Sequence, residues 1–187
     1  MSVTSLSFPY GESICWYSPD ELDRLPDSAL ADWLLASGSL TARLRAHCSQ
    51  FEVRVLGEAM LPGLPGEPQL PHTWVREVLL ILDGTPWVFA RTIVPEALLT
   101  RCGDELTALG DRPLGELLFS SDLFTPGRIE IAGFHSCGTL ARLAESLGQN
   151  VHGRLWGRRR YFEREGDELI VSEIFLPAAM DYILGPQ

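Results

Sequence analysis

The chain has 187 residues, of which 45% are hydrophobic and 21% are charged, a composition that suits one folded domain and argues against a disordered protein. The formal net charge of −10 argues against nucleic acid or an anionic membrane surface as a partner, because both carry negative charge. An anionic small molecule would need a local cluster of arginines to bind such a chain.

The N-terminal half alternates between apolar periodic stretches and turn residues, which favours short helices followed by strands. Residues 1–12 are expected to be loose. The sequence predicts helices over 28–36 and from Ser39 or Thr41 to Arg45, a strand over 51–56, a Pro/Gly-rich loop over 60–71, and strands over 74–82 and 87–94 around the turn Asp83-Gly84-Thr85-Pro86.

The C-terminal half continues the same mixture. It predicts helices over 105–109 and 113–119, a strand over 128–131, a helix over 139–147 that stops at Gly148, and strands over 155–164 and 169–176 around Glu165-Gly166-Asp167-Glu168. Hairpins and short helices in this order predict a single α+β domain with an antiparallel β-sheet flanked by short helices.

The cysteines and the N-terminus bear on the compartment. Cys15, Cys48, Cys102 and Cys137 form no C-x-x-C pair, so neither a disulfide scaffold nor a zinc site is expected. His135 and Cys137 lack a second ligand pair and are predicted to be neither metal ligands nor catalytic. The N-terminus lacks a signal-peptide pattern, and no apolar run is long enough to span a bilayer. The expected protein is a cytoplasmic monomer.

Arg76 and Arg91 stand in the first predicted hairpin. If Leu82 pairs with Trp87, both arginines lie on one apolar face as diagonal neighbours, roughly 7–8 Å apart at the backbone. Two guanidiniums on such a face require an anion beside them. That anion is either a bound ligand or a structural carboxylate such as Glu130 or Glu173.

Glu173 stands between Val171 and Phe175 on one face of the last predicted strand, where an isolated carboxylate is costly. The simplest hairpin register puts it opposite Arg160, which indicates a cross-strand ion pair. The alternative is a hydrogen-bond acceptor or general base in a mostly apolar pocket.

The remaining candidates carry weaker signals. The run Arg158-Arg159-Arg160 suits a solvated face or local ion pairs, because the chain as a whole is acidic. Phosphate-binding loops, nucleophile elbows and paired-cysteine motifs are absent from the sequence. We therefore expect no cofactor and no metal, and a chemistry based on positioning and electrostatics.

Taken together, six segments resemble the chorismate pyruvate-lyase family in order and spacing, and the helical segment 33–44 also fits. The segments are WVREVLL (74–80), DGTPW (83–87), ARTIVP (90–95), RPLGELLF (112–119), LWGRR (155–159) and SEIFLP (172–177). The resemblance implies a buried ligand pocket under flaps and the conversion of chorismate into 4-hydroxybenzoate and pyruvate, a step toward ubiquinone or other 4-hydroxybenzoate-derived products.

The resemblance also implies roles for individual residues. Arg76 would hold the ring carboxylate and Glu173 would receive the ring hydroxyl, so these two are the candidate catalytic residues. Leu114 would contribute by backbone contact. Leu40 stands where the family carries a methionine, and main-chain contact is implied there too. We place Arg91 near the second carboxylate of chorismate or in the ordering of the pocket.

Two further expectations accompany this assignment. Residues 134–153 are longer than the resemblance implies for the shorter members of the family. The apolar spacing of Leu140, Leu143, Ala144 and Leu147 predicts an ordered helix that packs on the sheet, and we favour packing away from the pocket over packing at its mouth. The competing function is a non-catalytic domain that binds or senses a small aromatic acid, because the same fold occurs in effector-sensing domains of bacterial regulators.

Overall fold

The computed structural model describes residues 8–23, 25–120 and 122–185. Within them, six antiparallel strands form one sheet in the order β1-β2-β3-β6-β5-β4. The strands are β1 (Phe51–Leu61), β2 (Thr73–Leu82), β3 (Thr85–Pro95), β4 (Thr125–Phe134), β5 (Leu155–Arg164) and β6 (Asp167–Phe175). The helices are α1 (Ser28–Leu34), α2 (Leu40–Arg45), α3 (Glu96–Thr107), α4 (Leu114–Ser120), α5 (Thr139–Ser146) and α6 (Pro177–Leu184). The predicted α+β class with a helix-flanked antiparallel sheet is confirmed.

Both faces of this sheet are covered. We call front the face that carries Arg76, Val78 and Glu173, and back the face that carries Glu77 and Arg91. Helices α1, α2, α3, α4 and α6 supply the apolar side chains that pack on the front, whereas α5 packs on the back. Coverage on both sides explains why every residue of β2 is buried, which is unusual for an antiparallel strand.

The first hairpin turns through two residues. Asp83 and Gly84 have φ values of 47° and 83°, the positive values that a tight type I′ turn requires. Leu82 then pairs with Thr85, and a bulge at Trp87 shifts the following pairs by one residue.

This one-residue shift corrects the predicted register. Arg76 lies opposite Thr92, and Arg91 lies opposite Glu77. The prediction that Arg76 and Arg91 share a face is therefore wrong, because an odd shift turns every later side chain of a strand to the other face.

The second hairpin also has a two-residue turn, at Glu165 and Gly166, with φ values of 52° and 89°. Its register pairs Glu173 with Arg158 and leaves Arg160 opposite Val171. The predicted pairing of Glu173 with Arg160 is wrong by two residues. An even shift changes the partner but not the face, so Glu173 remains on the front.

Residues 134–153 form an ordered part of the fold, as the apolar spacing predicts. Helix α5 buries Leu140, Leu143 and Ala144 against the back of the sheet. The Glu12 carboxylate accepts from the N–H groups of Thr139 and Leu140, at 3.2 Å each, and so caps the helix with a favourable negative charge.

The N-terminal segment lies on the same back face. Tyr10 and Gly11 donate their backbone N–H groups to the Glu77 carboxylate at 2.5 and 2.8 Å. Of the residues predicted to be loose, 1–7 lie outside the described residues, whereas Tyr10, Gly11 and Glu12 are held by these contacts. None of the helices in the described ranges combines the length and apolar character needed to cross a membrane.

Candidate active site

Two neighbouring rows of side chains cross the front of the sheet. One row runs Arg76–Thr92–Val171–Arg160, and the next runs Val78–Ala90–Glu173–Arg158, each through strands β2, β3, β6 and β5 in that order. The sequence thus places three guanidiniums and one carboxylate among apolar residues on a single face.

Arg76 is 2% exposed and only partly paired. Its Nη2 donates to the carbonyl oxygens of Gly110 and Arg112 at 2.8 and 3.3 Å, which fixes the guanidinium against the loop before α4. Its Nη1 lies 3.2 Å from Glu58 Oε1, but this buried nitrogen makes no hydrogen bond within the described part of the chain. Burial lowers the pKa of Arg76, and the nearby Glu58 and Asp111 oppose that effect. An arginine nevertheless remains charged, so Nη1 is a ready donor for an anion.

Glu173 lies beside a second arginine. Its Oε2 accepts from Arg158 Nε at 2.8 Å, and the two side chains are 12% and 2% exposed. Arg158 Nη1 also donates to the carbonyl oxygen of Ala36 at 2.8 Å, which ties the sheet to the break between α1 and α2. The ion pair holds one oxygen of Glu173 and leaves Oε1 outside that contact.

Two adjoining cavities lie over these side chains, with volumes of about 30 and 20 Å³. Arg76 and Leu114 line the first, Leu40 lines the second, and Glu173 lines both. Four of the five predicted site residues are therefore brought together. Each cavity holds about one or two water-sized spheres, so a ring-sized ligand enters only if the cover moves.

The cover over the two cavities consists of α2 and α4. A Cβ at Gly115 would lie 2.7 Å from Thr41 Oγ1, so the two helices meet at a position where a side chain does not fit. At the surface, Arg45 and Glu116 join the same helices at 2.8 Å with both side chains about half exposed. An exposed pair of this kind stabilises weakly, by about 0–1 kcal/mol, so it does not prevent the helices from separating.

Arg91, the fifth predicted site residue, lies on the back of the sheet and does not line these cavities. Its Nη1 donates to Glu77 Oε1 at 2.7 Å, and its Nε and Nη2 donate to the two oxygens of Glu67 at 2.8 and 3.1 Å. Burial lowers the pKa of Arg91, but the hydrogen bonds and charges of Glu67 and Glu77 outweigh it and the net pKa is raised. Of the two predicted alternatives, a bound ligand or a structural carboxylate, the second therefore applies to Arg91. Its partners are Glu67 and Glu77, however, and not Glu130 or Glu173.

The burial of the three arginines of β5 was not predicted from the sequence. Arg158 and Arg159 do form local ion pairs, with Glu173 and Glu130 respectively, but Arg158, Arg159 and Arg160 are all buried rather than solvated. A signal was available in the sequence, because Arg158 and Arg160 fall on the same face as Glu173 whenever the turn between the two strands has an even number of residues. Thr41 and Gly115 carried no recognisable signal.

The turn between β4 and α5 contains His135 and Cys137, which are both exposed. Within residues 8–23, 25–120 and 122–185, no cluster of three or more His, Cys, Asp or Glu side chains is arranged to hold a metal ion.

Known proteins match this chain over a range that includes every residue of the site. The model of the family described as Chorismate lyase matches residues 11–182. A Shewanella amazonensis protein named probable chorismate pyruvate-lyase is 98% identical over 187 residues, 100% of both chains. Proteins of the same name are 62% identical in Shewanella loihica, over 98% of each chain, and 38% identical in Pseudomonas putida, over 93% of this chain and 94% of that one.

Solved structures resemble the chain in fold. A GntR-family transcriptional regulator from Bacillus cereus aligns over 70% of this chain and 94% of its own, with a TM-score of 0.52 and 13% identity. The C-terminal domain of the histidine utilization repressor from Pseudomonas syringae pv. tomato aligns over 70% and 93%, with a TM-score of 0.51 and 9% identity. At identities this low, the likeness is evidence for the fold alone. The family match, in contrast, spans all six strands and every residue that lines the two cavities, and it is accompanied by full-length relatives from two genera, so the chain belongs to the chorismate lyase family.

Proposed function

We propose that the protein is a chorismate pyruvate-lyase, which converts chorismate into 4-hydroxybenzoate and pyruvate. The observation that carries this proposal is the buried guanidinium of Arg76 at the wall of a mostly apolar cavity. Its Nη1 makes no hydrogen bond with the described residues and has Glu58, at the edge of the site, 3.2 Å away as an ion-pair partner. A carboxylate on an aromatic or diene ring satisfies that nitrogen. The family membership and the names of the relatives support the same reaction.

The spacing of Arg76 and Glu173 suits a ring with polar groups at opposite ends. Glu173 lies two strands across from Arg76 and one side-chain row along. At about 4.8 Å per strand and about 6.6 Å per row, the two Cα atoms are roughly 12 Å apart. Arg76 therefore receives the ring carboxylate, and Glu173 Oε1 accepts from the ring hydroxyl para to it. Leu114 and Leu40 line the cavities, and we propose that their backbones contact the ring region.

The reaction is an elimination that makes the ring aromatic. The bond between the ring carbon and the enolpyruvyl oxygen breaks, and its electron pair goes to that oxygen. The hydrogen on the neighbouring, hydroxyl-bearing carbon leaves as a proton, and the enolpyruvate takes up a proton at its methylene carbon to become pyruvate. The reaction neither gains electrons from a third molecule nor loses electrons to one, so we propose that it needs no cofactor and no metal.

The protein contributes geometry and charge. A fixed reactive pose accounts for up to about 7–11 kcal/mol of a barrier. Closure of α2 and α4 over the ligand excludes water, which strengthens the attraction between Arg76 and the ring carboxylate. We further propose that the 4-hydroxybenzoate enters ubiquinone synthesis or another route built on it, in the cytoplasm.

The test is to incubate purified protein with chorismate and to measure 4-hydroxybenzoate by its ultraviolet absorption and pyruvate by a coupled reductase. We expect equal amounts of both products, at a rate unchanged by exhaustive chelation. Binding of 4-hydroxybenzoate without turnover would identify a non-catalytic aromatic-acid binding protein instead. Loss of turnover on chelation that one added metal restores would refute the metal-free reaction.

A further inference from the structure

Arg160 is a second buried arginine with an unsatisfied donor. It is 8% exposed, and its Nη1 donates to the carbonyl oxygen of Ser37. Its Nε is buried and makes no hydrogen bond with any residue that the structure describes. The rings of Phe119 and Phe162 lie 5.3 and 5.8 Å from its Cζ, so the guanidinium is held in an apolar setting. A buried donor without a partner is costly unless a ligand satisfies it.

The position of Arg160 relates it directly to the proposed substrate site. Arg160 and Arg76 lie in the same row on the front of the sheet, three strands apart, so their Cα atoms are about 14 Å from each other. Arg160 lines the smaller cavity, Arg76 lines the larger one, and Glu173 lines both. Because arginine side chains are long, the two guanidiniums are able to approach one small molecule from opposite ends.

The charges of this site also leave Arg160 without a counter-ion among the described residues. Three guanidiniums and one carboxylate line the two cavities. Glu173 is paired with Arg158, and Glu58, which is 34% exposed and lies at the edge, faces Arg76. Burial lowers the pKa of Arg160, repulsion from Arg158 lowers it further, and Glu173 only partly compensates. A ligand with a single carboxylate at Arg76 leaves this second cationic end unmatched.

We propose that Arg160 binds the carboxylate of the enolpyruvyl side chain and thereby makes the site selective for dicarboxylates over the monocarboxylate product. This inference rests on the proposed function, since it assigns the second carboxylate of the same substrate. Arg160 Nε donates to that carboxylate, while Arg76 Nη1 donates to the ring carboxylate. After the ether bond breaks, Arg160 holds the pyruvate half and Arg76 holds 4-hydroxybenzoate.

The test compares two stable ligands on three proteins. The ligands are 4-hydroxybenzoate and a benzoate that carries an enolpyruvyl ether at the meta position, the position of the ether in chorismate. The proteins are the parent, Arg160→Met and Arg76→Met, each checked for folding by thermal unfolding. We expect Arg160→Met to weaken the dicarboxylate by about 30-fold or more while 4-hydroxybenzoate changes by less than about threefold, and to raise KM for chorismate more than it lowers kcat. Arg76→Met should weaken both ligands.

Two results with Arg160→Met overturn the proposal. Equal weakening of both ligands by Arg160→Met would make Arg160 a structural residue that holds Ser37, and an unchanged dicarboxylate affinity would exclude contact. If the parent binds both ligands but turns over no chorismate, the proposed function fails while the ligand comparison still tests Arg160. If the parent binds neither ligand, both proposals fail.

A measurement on the unaltered protein covers the case in which Arg160→Met does not fold. We expect pyruvate to compete with the dicarboxylate but to leave the affinity for 4-hydroxybenzoate unchanged, because the two products occupy different ends of the site. Displacement of 4-hydroxybenzoate by pyruvate, or no effect of pyruvate on the dicarboxylate, would contradict the assignment. Arg160→Lys, which keeps the charge, should retain part of the preference for the dicarboxylate.

Discussion

Replacing Arg91 by methionine should destabilise the fold without weakening ligand binding. Arg91 donates three hydrogen bonds to Glu67 and Glu77, and the Glu77 side chain is fully buried. After the substitution, the hydrogen bonds that Glu77 keeps within the described residues are those from the backbone N–H groups of Tyr10 and Gly11. Removing one partner of a buried ion pair costs about 3–5 kcal/mol, because the other charge remains buried.

That loss is large on the scale of this protein. Domains unfold with a total free energy of about 5–15 kcal/mol, and for a chain of this size each kcal/mol lowers the melting temperature by about 2–4 °C. We therefore expect Arg91→Met to melt about 6–20 °C below the parent. The dissociation constant for 4-hydroxybenzoate, measured well below the melting temperature, should match that of the parent because Arg91 lies on the back of the sheet.

Arg54→Met provides the matched control. Arg54 pairs with Glu52 at 3.3 Å, but both side chains are more than half exposed, so its removal should cost no more than about 1 kcal/mol. The double variant Arg91→Met with Glu77→Met should recover part of the lost stability, since the fully buried carboxylate of Glu77 is then removed and the remaining unpaired carboxylate is that of Glu67, which is 10% exposed. A stable Arg91→Met variant that binds 4-hydroxybenzoate poorly would refute the assignment of Arg91 to the back-face network.

Three further predictions concern the front of the sheet and helix α5. Arg76→Ala should weaken 4-hydroxybenzoate binding by about 2–5 kcal/mol, measured by calorimetric titration, and a near-unchanged affinity would exclude the anchor role. Glu173→Gln keeps the shape but loses the charge, so turnover should fall; if only stability falls, the ion pair with Arg158 is its whole role. Replacing residues 134–153 by a short Gly/Ser linker should lower the melting temperature more than it changes turnover, because α5 packs on the back, whereas a stable variant with much faster product release would show that the segment is a lid.

The positions of the strands were predictable because their residue types are distinctive. The strands predicted over 74–82, 87–94 and 155–164 coincide with β2, β3 and β5 to within two residues at each end. β1 and β4 extend beyond the predicted 51–56 and 128–131, since ladder hydrogen bonds to neighbouring strands continue past the apolar stretch. Helix α6 was not predicted, although Pro177 at its first turn is a typical start signal.

The pairing of the strands was not predictable from the sequence. Asp83-Gly84-Thr85-Pro86 and Glu165-Gly166-Asp167-Glu168 are each compatible with a two-residue or a four-residue turn. A choice between them moves the register by two residues, and in the first hairpin the bulge at Trp87 moves it back by one, which leaves a net shift of one residue. That single residue decides whether Arg91 faces the ligand or the opposite side of the sheet, and no local pattern in the sequence marks it.

The same limit applies to the candidate site. The resemblance supplied Leu40, Arg76, Leu114 and Glu173, and these four line adjoining cavities. It supplied neither Arg158 nor Arg160, whose burial depends on α1 and α2 folding over β5. Whether an arginine on a strand is solvated or buried is a property of the covering element, which is distant in sequence.

The attachment of the N-terminal segment has a consequence for the order in which the chain assembles as it is synthesised. Tyr10 contacts Glu77, 67 residues later, and Glu12 contacts Thr139, 127 residues later. Tyr10 and Glu12 therefore leave the ribosome well before their partners, which follow 67 and 127 residues later. Completion of the back face is thus a late, long-range step, of the kind that slows folding in proteins rich in distant contacts.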